Sequence, residues 1–355
     1  MRKLTVPKRR YKEDLNKILE VYKEVESTHK GLGKLAVFEL LCDSANKCLL
    51  VIGSAGTGKS AVAKSVYNNI KRDKVYYDAI TIVGLKKIQD FLTENRVSIL
   101  VDDLSKGYTE YSQLSTVVIF SELCYTGWFR KTTAQYDLNI YGFKGSCIIN
   151  LQPLLLKRIV SDPTFETDIR DKAIRYYHMV FPIKENLDRP KIDINYDYVE
   201  YENVLIDHSI IHNKMYKDAY ENFRYEFTKS RAKEHLNDLI KASALLNDRR
   251  KVTSGDLWLV RELSKNFRIE HEIFTKDELE GSRFINPNVL PLLSALNTYG
   301  KVSIRELCLR FQLKKRRIYQ IINDLTEYCL IVKNHSYIVP TEYTKELLRE
   351  IGEKA

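Results

Sequence analysis

One run of eight residues, Gly53-Ser54-Ala55-Gly56-Thr57-Gly58-Lys59-Ser60, constrains the fold of this chain more than any other feature. It matches the G-x-x-x-x-G-K-[ST] pattern, directly after the apolar stretch CLLVI and directly before AVAKSVYNNI, which has helical spacing. A phosphate-cradling loop needs that strand-loop-helix setting. The glycines let backbone N–H groups curl around phosphate oxygens, and the helix start adds the positive end of its dipole. Gly53, Ala55, Gly56, Thr57 and Gly58 would form the cradle, Lys59 would reach the β and γ phosphates, and the Ser60 hydroxyl would ligate magnesium. The expected cofactors are ATP and Mg2+, and the expected fold is α/β on a parallel sheet.

The rest of the first half agrees with that expectation. The short apolar runs CLLVIG, YDAITIV, VSILVDD, GSCIIN and YHMVFPI read as buried parallel strands. Helical patterns over 59–70, 85–95 and 111–130 have lengths suited to crossover connections. Composition shifts divide the chain into four parts: a basic N-terminal arm and helix over 1–35, a nucleotide-binding domain over 36–190, a helical lid over 191–284 and a last compact module over 285–355. The final boundary falls at INPNVLP, where prolines and asparagines interrupt the pattern.

VSILVDD ends on Asp102 and Asp103. An acid at the C-terminal edge of a neighbouring strand can hold magnesium through water, a role that suits Asp102. The next acid, Asp103, can polarise an attacking water. The same pair can also cap the following turn. Phosphate loop, acid-ended strand, polar-ended strand and helical lid, in this order over 36–265, resemble the AAA+ ATPases. That resemblance implies that Asn150, at the end of GSCIIN, orients the attacking water. It implies an arginine finger after the next helix, with Arg170 and Arg175 as candidates, and a second sensor at Arg231. The stretch HLNDLIKASALLNDRRKVTSGDLWLVREL is similar to the lid of the minichromosome maintenance helicases, and Thr253 with Asp256 has the form of a capping box. Most AAA+ proteins carry Glu where this chain has Asp103, which bears on the rate of hydrolysis more than on binding.

In the last module the order of helix, short strand, helix, helix and the hairpin CLIVKNHSYIVP is that of a winged helix-turn-helix domain. Such modules place a helix in the major groove of DNA. Seven Lys/Arg against one acid lie between positions 301 and 317. Lys301, Arg305, Lys314, Lys315, Arg316, Arg317 and, on the hairpin, Lys333 are the candidate DNA-contacting residues. Over the whole chain, 57 Lys+Arg against 47 Asp+Glu give a net charge of +10, and six basic residues with no acid occupy positions 1–12. Both favour a polyanionic partner.

No apolar run approaches the ~18 residues a membrane span requires, and no signal segment stands at the N-terminus, so a cytoplasmic location is expected. The six cysteines lie singly among apolar neighbours, consistent with reduced thiols rather than disulfides or zinc. His208 and His212 stand four apart without a third ligand or a catalytic Glu, and read as structural. The resemblance to AAA+ ATPases, with the basic last module, implies an ATPase acting on double-stranded DNA as a replication initiator, helicase loader or remodeller. It would form a homo-oligomer, with a ring-shaped hexamer as one form, and meet other replication proteins. The alternative is a nucleotide-gated DNA-binding switch or transcriptional regulator with negligible turnover.

Overall fold

The computed structural model describes residues 9–29, 31–53, 56–77, 80–106, 109–132, 137–178, 201–267, 289–311, 314–316, 318–319, 321–322, 331–334 and 337–340. The N-terminal part holds α1 (Arg9–Asp14), α2 (Asn16–Thr28) and α3 (Gly33–Ser44). A βα alternation follows: β1 (Cys48–Ile52), α4 (Lys59–Asn69), β2 (Asp73–Tyr77), α5 (Ile82–Lys87), α6 (Gln89–Leu92), β3 (Val97–Val101), α7 (Glu110–Thr126), β4 (Phe129–Thr132), β5 (Asp137–Ile140), β6 (Ser146–Leu151), α8 (Pro153–Val160) and β7 (Ala173–Tyr177). Helices then dominate, with α9 (His208–Ile211), α10 (Lys214–Phe223), α11 (Lys229–Leu246) and α12 (Ser254–Ser264).

Five strands form one sheet in the order β2-β3-β6-β1-β7, every pair parallel. β1, β3, β6 and β7 are buried along their whole length, as strands covered on both faces must be. That explains why β1, β3 and β6 stand out as apolar runs.

Two strands lie elsewhere than expected. β2 is DKVYY, upstream of YDAITIV; it is an edge strand with no buried residue and no continuous apolar signal. Residues 82–83 of the expected strand instead open α5, capped by the Thr81 hydroxyl, which accepts from the Gly84 N–H at 3.0 Å. The last strand is AIRYY, upstream of YHMVFPI, whose residues 179–183 lie outside the described ones. An arginine in mid-strand hides it from a hydrophobicity reading. The helix expected over 85–95 is the short pair α5 and α6. The one expected over 111–130 stops at Gly127, whose φ of 72° favours glycine, and leads into the antiparallel hairpin β4–β5, which the sequence reading missed.

The capping box is present: Thr253 accepts from Gly255 N–H, and Asp256 accepts from the Thr253 N–H. Asp256 also pairs with Arg249 at 2.7 Å, and Arg249 donates to the Asp14 carbonyl at 2.8 Å. Tyr11 stacks on Trp258, so α1 packs against α12. Arg2, Lys3 and Lys8 lie outside the described residues. The open edge of β7 is covered by a side chain: Asn266 accepts from Tyr177 N–H (2.7 Å) and donates to the Tyr177 carbonyl (2.9 Å).

The last module contains α13 (Val289–Tyr299), β8 (Val302–Ser303), α14 (Ile304–Phe311), β9 (Ile331–Asn334) and β10 (Tyr337–Pro340). Its three strands are antiparallel in the order β8-β10-β9. Between α14 and β9 the described residues of 315–322 are helical, with Ile318, Ile321 and Ile322 fully buried at helical spacing. Among the described residues no helix is long and apolar enough to cross a membrane.

Candidate nucleotide-binding site

The loop after β1 is shaped by two left-handed residues, Gly56 (φ 73°) and Gly58 (φ 83°), where a side chain would be strained. Ala55 lies outside the described residues. Gly53 N–H donates to the Leu151 carbonyl at 3.2 Å, fastening the loop to β6. Lys59 opens α4 and folds back, its Nζ donating to the Gly53 carbonyl at 2.6 Å. Burial pushes the Lys59 pKa down to about 8, against the pull of Asp103 and Asp102.

His178, just past β7, is a neighbour of the loop that sequence reasoning missed. Its backbone N–H donates to Ile52 O at 2.7 Å, and its Nε2 donates to Thr57 O at 3.0 Å. Burial holds its pKa down to about 3, helped by Lys59, so the ring is neutral. The only sequence signal was a polar residue following an apolar strand.

Because β6 lies between β1 and β3, the ends of all three strands meet at one edge. There a cleft is lined by Gly56, Thr57, Gly58, Lys59, Ser60, Ala61, Asp102, Asp103, Asn150, Leu151 and Gln152. This is the switch between strand orders where open parallel sheets bind ligands. Asn150 is 2% exposed, and neither its amide oxygen nor its nitrogen has a hydrogen-bond partner among the described residues. A buried amide is rarely left in that state without a ligand or water to satisfy it.

The two acids differ. Asp102 Oδ2 accepts from Tyr76 OH (2.9 Å) and pairs with Lys64 Nζ (2.6 Å), while Oδ1 is buried with no hydrogen-bond partner among the described residues. Burial raises its pKa, but Lys64, Ser60 and Tyr76 outweigh that and hold it below the usual carboxylate value. Asp103 Oδ1 accepts from Ser105 N–H (3.0 Å) and Ser105 Oγ (2.5 Å), so one of its oxygens caps the turn Leu104–Lys106. Ser60 and the open Oδ1 of Asp102 fit a hard divalent cation. No described cluster of three His, Cys, Asp or Glu can hold a metal alone, so phosphate and water oxygens would complete the shell.

Other expected site residues lie elsewhere. Arg175 is fully buried in mid-β7, its Nη2 3.8 Å from the buried Glu226 carboxylate and its Nη1 donating to Arg170 O at 2.9 Å. A side chain enclosed in this way cannot reach a neighbouring subunit, which corrects its candidacy as a finger. Arg170 is exposed and pairs with Glu166 at 2.6 Å. Arg231, on α11, pairs with Glu234 and lies 4.2 Å over the Tyr125 ring. Tyr125 ends α7, which runs back from the cleft, and Asp238 of α11 pairs at 2.6 Å with Lys47, just before β1. Arg231 therefore sits at the opposite edge of the sheet and does not line the cleft, contrary to its expected sensor role. His208 and His212 stack at 5.9 Å between ring centroids.

In the last module Lys301, Arg305, Lys314, Lys315, Arg316 and Lys333 are all exposed, and Arg317 lies outside the described residues. Lys315 and Lys333 approach the Tyr319 ring from helix and hairpin, at 6.0 and 5.0 Å. Lys301 lies 4.0 Å over Tyr337.

No family model matches this sequence, and no curated protein does. Among solved structures, the chain is similar to a full-length MCM homologue from Methanopyrus kandleri, at 15% identity and a TM-score of 0.44. The alignment covers 75% of this chain and 63% of that one, so the chain spans less than two thirds of the MCM homologue's length.

Proposed function

We propose that this chain binds and hydrolyses ATP with Mg2+ as an AAA+-type protein acting on double-stranded DNA. The observation that carries the reading is the cleft in which Gly56 to Ser60, both acids and the unpartnered Asn150 amide converge. In the reading, the loop N–H groups and Lys59 bind the phosphates, and Ser60 with Asp102 Oδ1 faces the cation. The chemistry a bound Mg2+ supplies is neutralisation of charge developing between the β and γ phosphates. Asn150 then holds the attacking water, and Asp103 takes up its proton through the oxygen that does not cap the turn.

The exposed basic residues on helix and hairpin support duplex binding by a winged helix, with Lys and Arg meeting phosphates. With Arg175 enclosed, Arg170 is the remaining finger candidate for a homo-oligomer, a ring-shaped hexamer included. The biological role that suits these parts is replication initiator, helicase loader or remodeller, working with other replication proteins in the cytoplasm. Multiple-turnover ATP hydrolysis, measured with and without duplex DNA, tests the reading; absence of Mg2+-dependent nucleotide binding would overturn it.

A second reading is favoured by one observation. Asp103 is held by Ser105 as a turn cap, which restrains it from moving with a water. A nucleotide-gated DNA-binding switch with negligible turnover would need no more than this. Single-turnover hydrolysis far slower than nucleotide exchange would select it.

A further inference from the structure

The Asp102 carboxylate has one oxygen engaged and one open. Oδ2 takes the Lys64 ammonium at 2.6 Å and the Tyr76 hydroxyl at 2.9 Å, while Oδ1 is buried without a hydrogen-bond partner among the described residues. Lys64 stands one and a half turns along α4 from Lys59, on the helix that begins at the phosphate loop. Its ammonium also lies 5.4 Å from the Tyr76 ring centroid, and Tyr76 packs edge-on against Tyr67 of the same helix. The side chain of Asp102 is 7% exposed and that of Lys64 26%, so the pair is largely withdrawn from water but the ammonium keeps an outlet.

The geometry points to Lys64 as a tethered cation that sets the divalent-cation requirement of nucleotide binding, with Tyr76 keeping Lys64 and Asp102 in register. The inference rests on the nucleotide reading given above. An incoming Mg2+ meets a carboxylate whose charge is already compensated by a fixed ammonium. Only Oδ1 of Asp102 would be left to hold a cation, directly or through water, and the ammonium on Oδ2 would oppose its charge. Lys64 and Tyr76 are thus positioning residues: they act on the metal through Asp102 and touch neither nucleotide nor reacting atoms.

The repulsion has a readable size. A unit charge ~6 Å from a divalent ion, at a water-like effective dielectric near ~80 because the Lys64 ammonium keeps an outlet to solvent, weakens cation binding roughly tenfold. Lys64→Met therefore lowers the half-saturating Mg2+ for nucleotide binding by about tenfold. Lys64→Arg keeps the charge and leaves it near wild type. Tyr76→Phe removes a neutral donor and changes it by less than about threefold. With Asp102→Asn already present, Lys64→Met shifts it by less than about threefold, because the carboxylate through which Lys64 acts is gone.

The experiment is a fluorescence titration of N-methylanthraniloyl-ADP on the full chain at MgCl2 concentrations from EDTA-chelated to millimolar. Since the probe is a diphosphate, the readout is binding and does not depend on turnover. Lys64→Gln is a second neutral variant should Met disturb packing, and circular dichroism checks folding of each. A wild-type protein that needs Mg2+, with both neutral variants needing as much, overturns the inference and leaves the nucleotide site standing. Mg2+-independent binding by the wild type also overturns it. No binding of the probe by the wild type under any condition removes the nucleotide reading and this inference with it.

Discussion

Replacing Arg175 separates a structural arginine from a catalytic one. The guanidinium is fully buried, Nη1 donates to the Arg170 carbonyl (2.9 Å) and more weakly to that of Ala173 (3.4 Å), and Nη2 donates to the Glu226 carbonyl (3.3 Å). Phe165 and Phe227 flank it at 5.4 and 5.7 Å. Arg175→Met removes the cation from a Glu226 carboxylate that is 1% exposed. Breaking a buried ion pair from one side costs about 3 to 5 kcal/mol. Removing both charges, in Arg175→Met with Glu226→Leu, restores most of that loss, because well-packed apolar groups replace such pairs at little penalty. Arg170→Ala, which breaks an exposed pair with Glu166, changes stability by no more than about 0.5 kcal/mol. Urea unfolding followed by tryptophan fluorescence reads the difference, since Trp258 is buried in this core and Trp128 is exposed. A single Arg175 variant as stable as wild type, but unable to hydrolyse ATP and rescued in trans by Lys59→Ala protein, would refute the argument and return Arg175 to the finger role.

Lys59→Ala should abolish binding of labelled ATP while leaving the unfolding midpoint near wild type, because it removes a cation that is costly to bury. Asn150→Ala should keep nucleotide binding within about threefold and lower turnover by roughly 10²- to 10³-fold, the usual cost of losing one positioned polar group, as read by single-turnover hydrolysis. Replacing Lys314, Lys315 and Arg316 together with Ala should weaken duplex binding and flatten the salt dependence by roughly 0.9 in log-log slope per lost phosphate contact. Anisotropy across a salt series checks it, and unchanged slopes would assign those exposed residues to a protein contact.

What the sequence made legible follows from what each element needs. The loop after β1 could be read because two left-handed glycines and a lysine at a helix start permit few alternatives, and Gly56 to Ser60 line one cleft with Asp102, Asp103 and Asn150. β1, β3 and β6 were visible because central parallel strands must be apolar throughout. β2 was not, because an edge strand is released from that demand. β7 was hidden by Arg175, whose burial is made tolerable by Glu226, 51 residues away, a pairing no local pattern encodes. Arg231 was misplaced for a similar reason: its partner Tyr125 belongs to α7, and nothing along α11 tells which edge of the sheet that helix follows. Lys64, Tyr76 and His178 carried no motif at all and became visible only through what they touch.

Three buried titratable groups should give the chain a stability maximum near neutral pH, and the sign of each can be worked out. Burial and the cations Lys47, Arg231 and Arg175 push the His235 pKa down to about 3, partly opposed by the Asp171 carbonyl; burial does the same for His178. Each ring is neutral when folded, whereas the unfolded chain protonates it below about 6.5. The unfolded state then binds more protons, so stability falls as pH drops below about 6.5. At pH 5 the loss is about 2 kcal/mol per histidine, or roughly 4 kcal/mol together. Glu39 works in the other direction. It lies in mid-α3, fully buried, with neither carboxyl oxygen hydrogen-bonded among the described residues, and burial raises its pKa well above the usual range. Tyr176 of β7 and Cys42 of α3 are the titratable neighbours it acts on, and a negative charge there would raise both. Glu39 stays protonated when folded while the unfolded chain loses its proton above about 4.5, so its contribution falls as pH rises. Between about pH 4.5 and 6.5 the two histidines gain stability faster than Glu39 loses it; above that range only the Glu39 loss remains. Glu39→Gln should therefore flatten the decline from pH 6.5 to 8 and roughly double the net loss between pH 6.5 and 5, because Glu39 no longer offsets the histidines there. His235→Asn should nearly cancel the net acid-side loss of the wild type, since one histidine and Glu39 then oppose each other with similar slopes. Urea midpoints at pH 5, 6.5 and 8 for the three proteins are the measurement. A Glu39→Gln profile parallel to wild type above pH 6.5 would mean that the buried carboxyl does not set the alkaline limb.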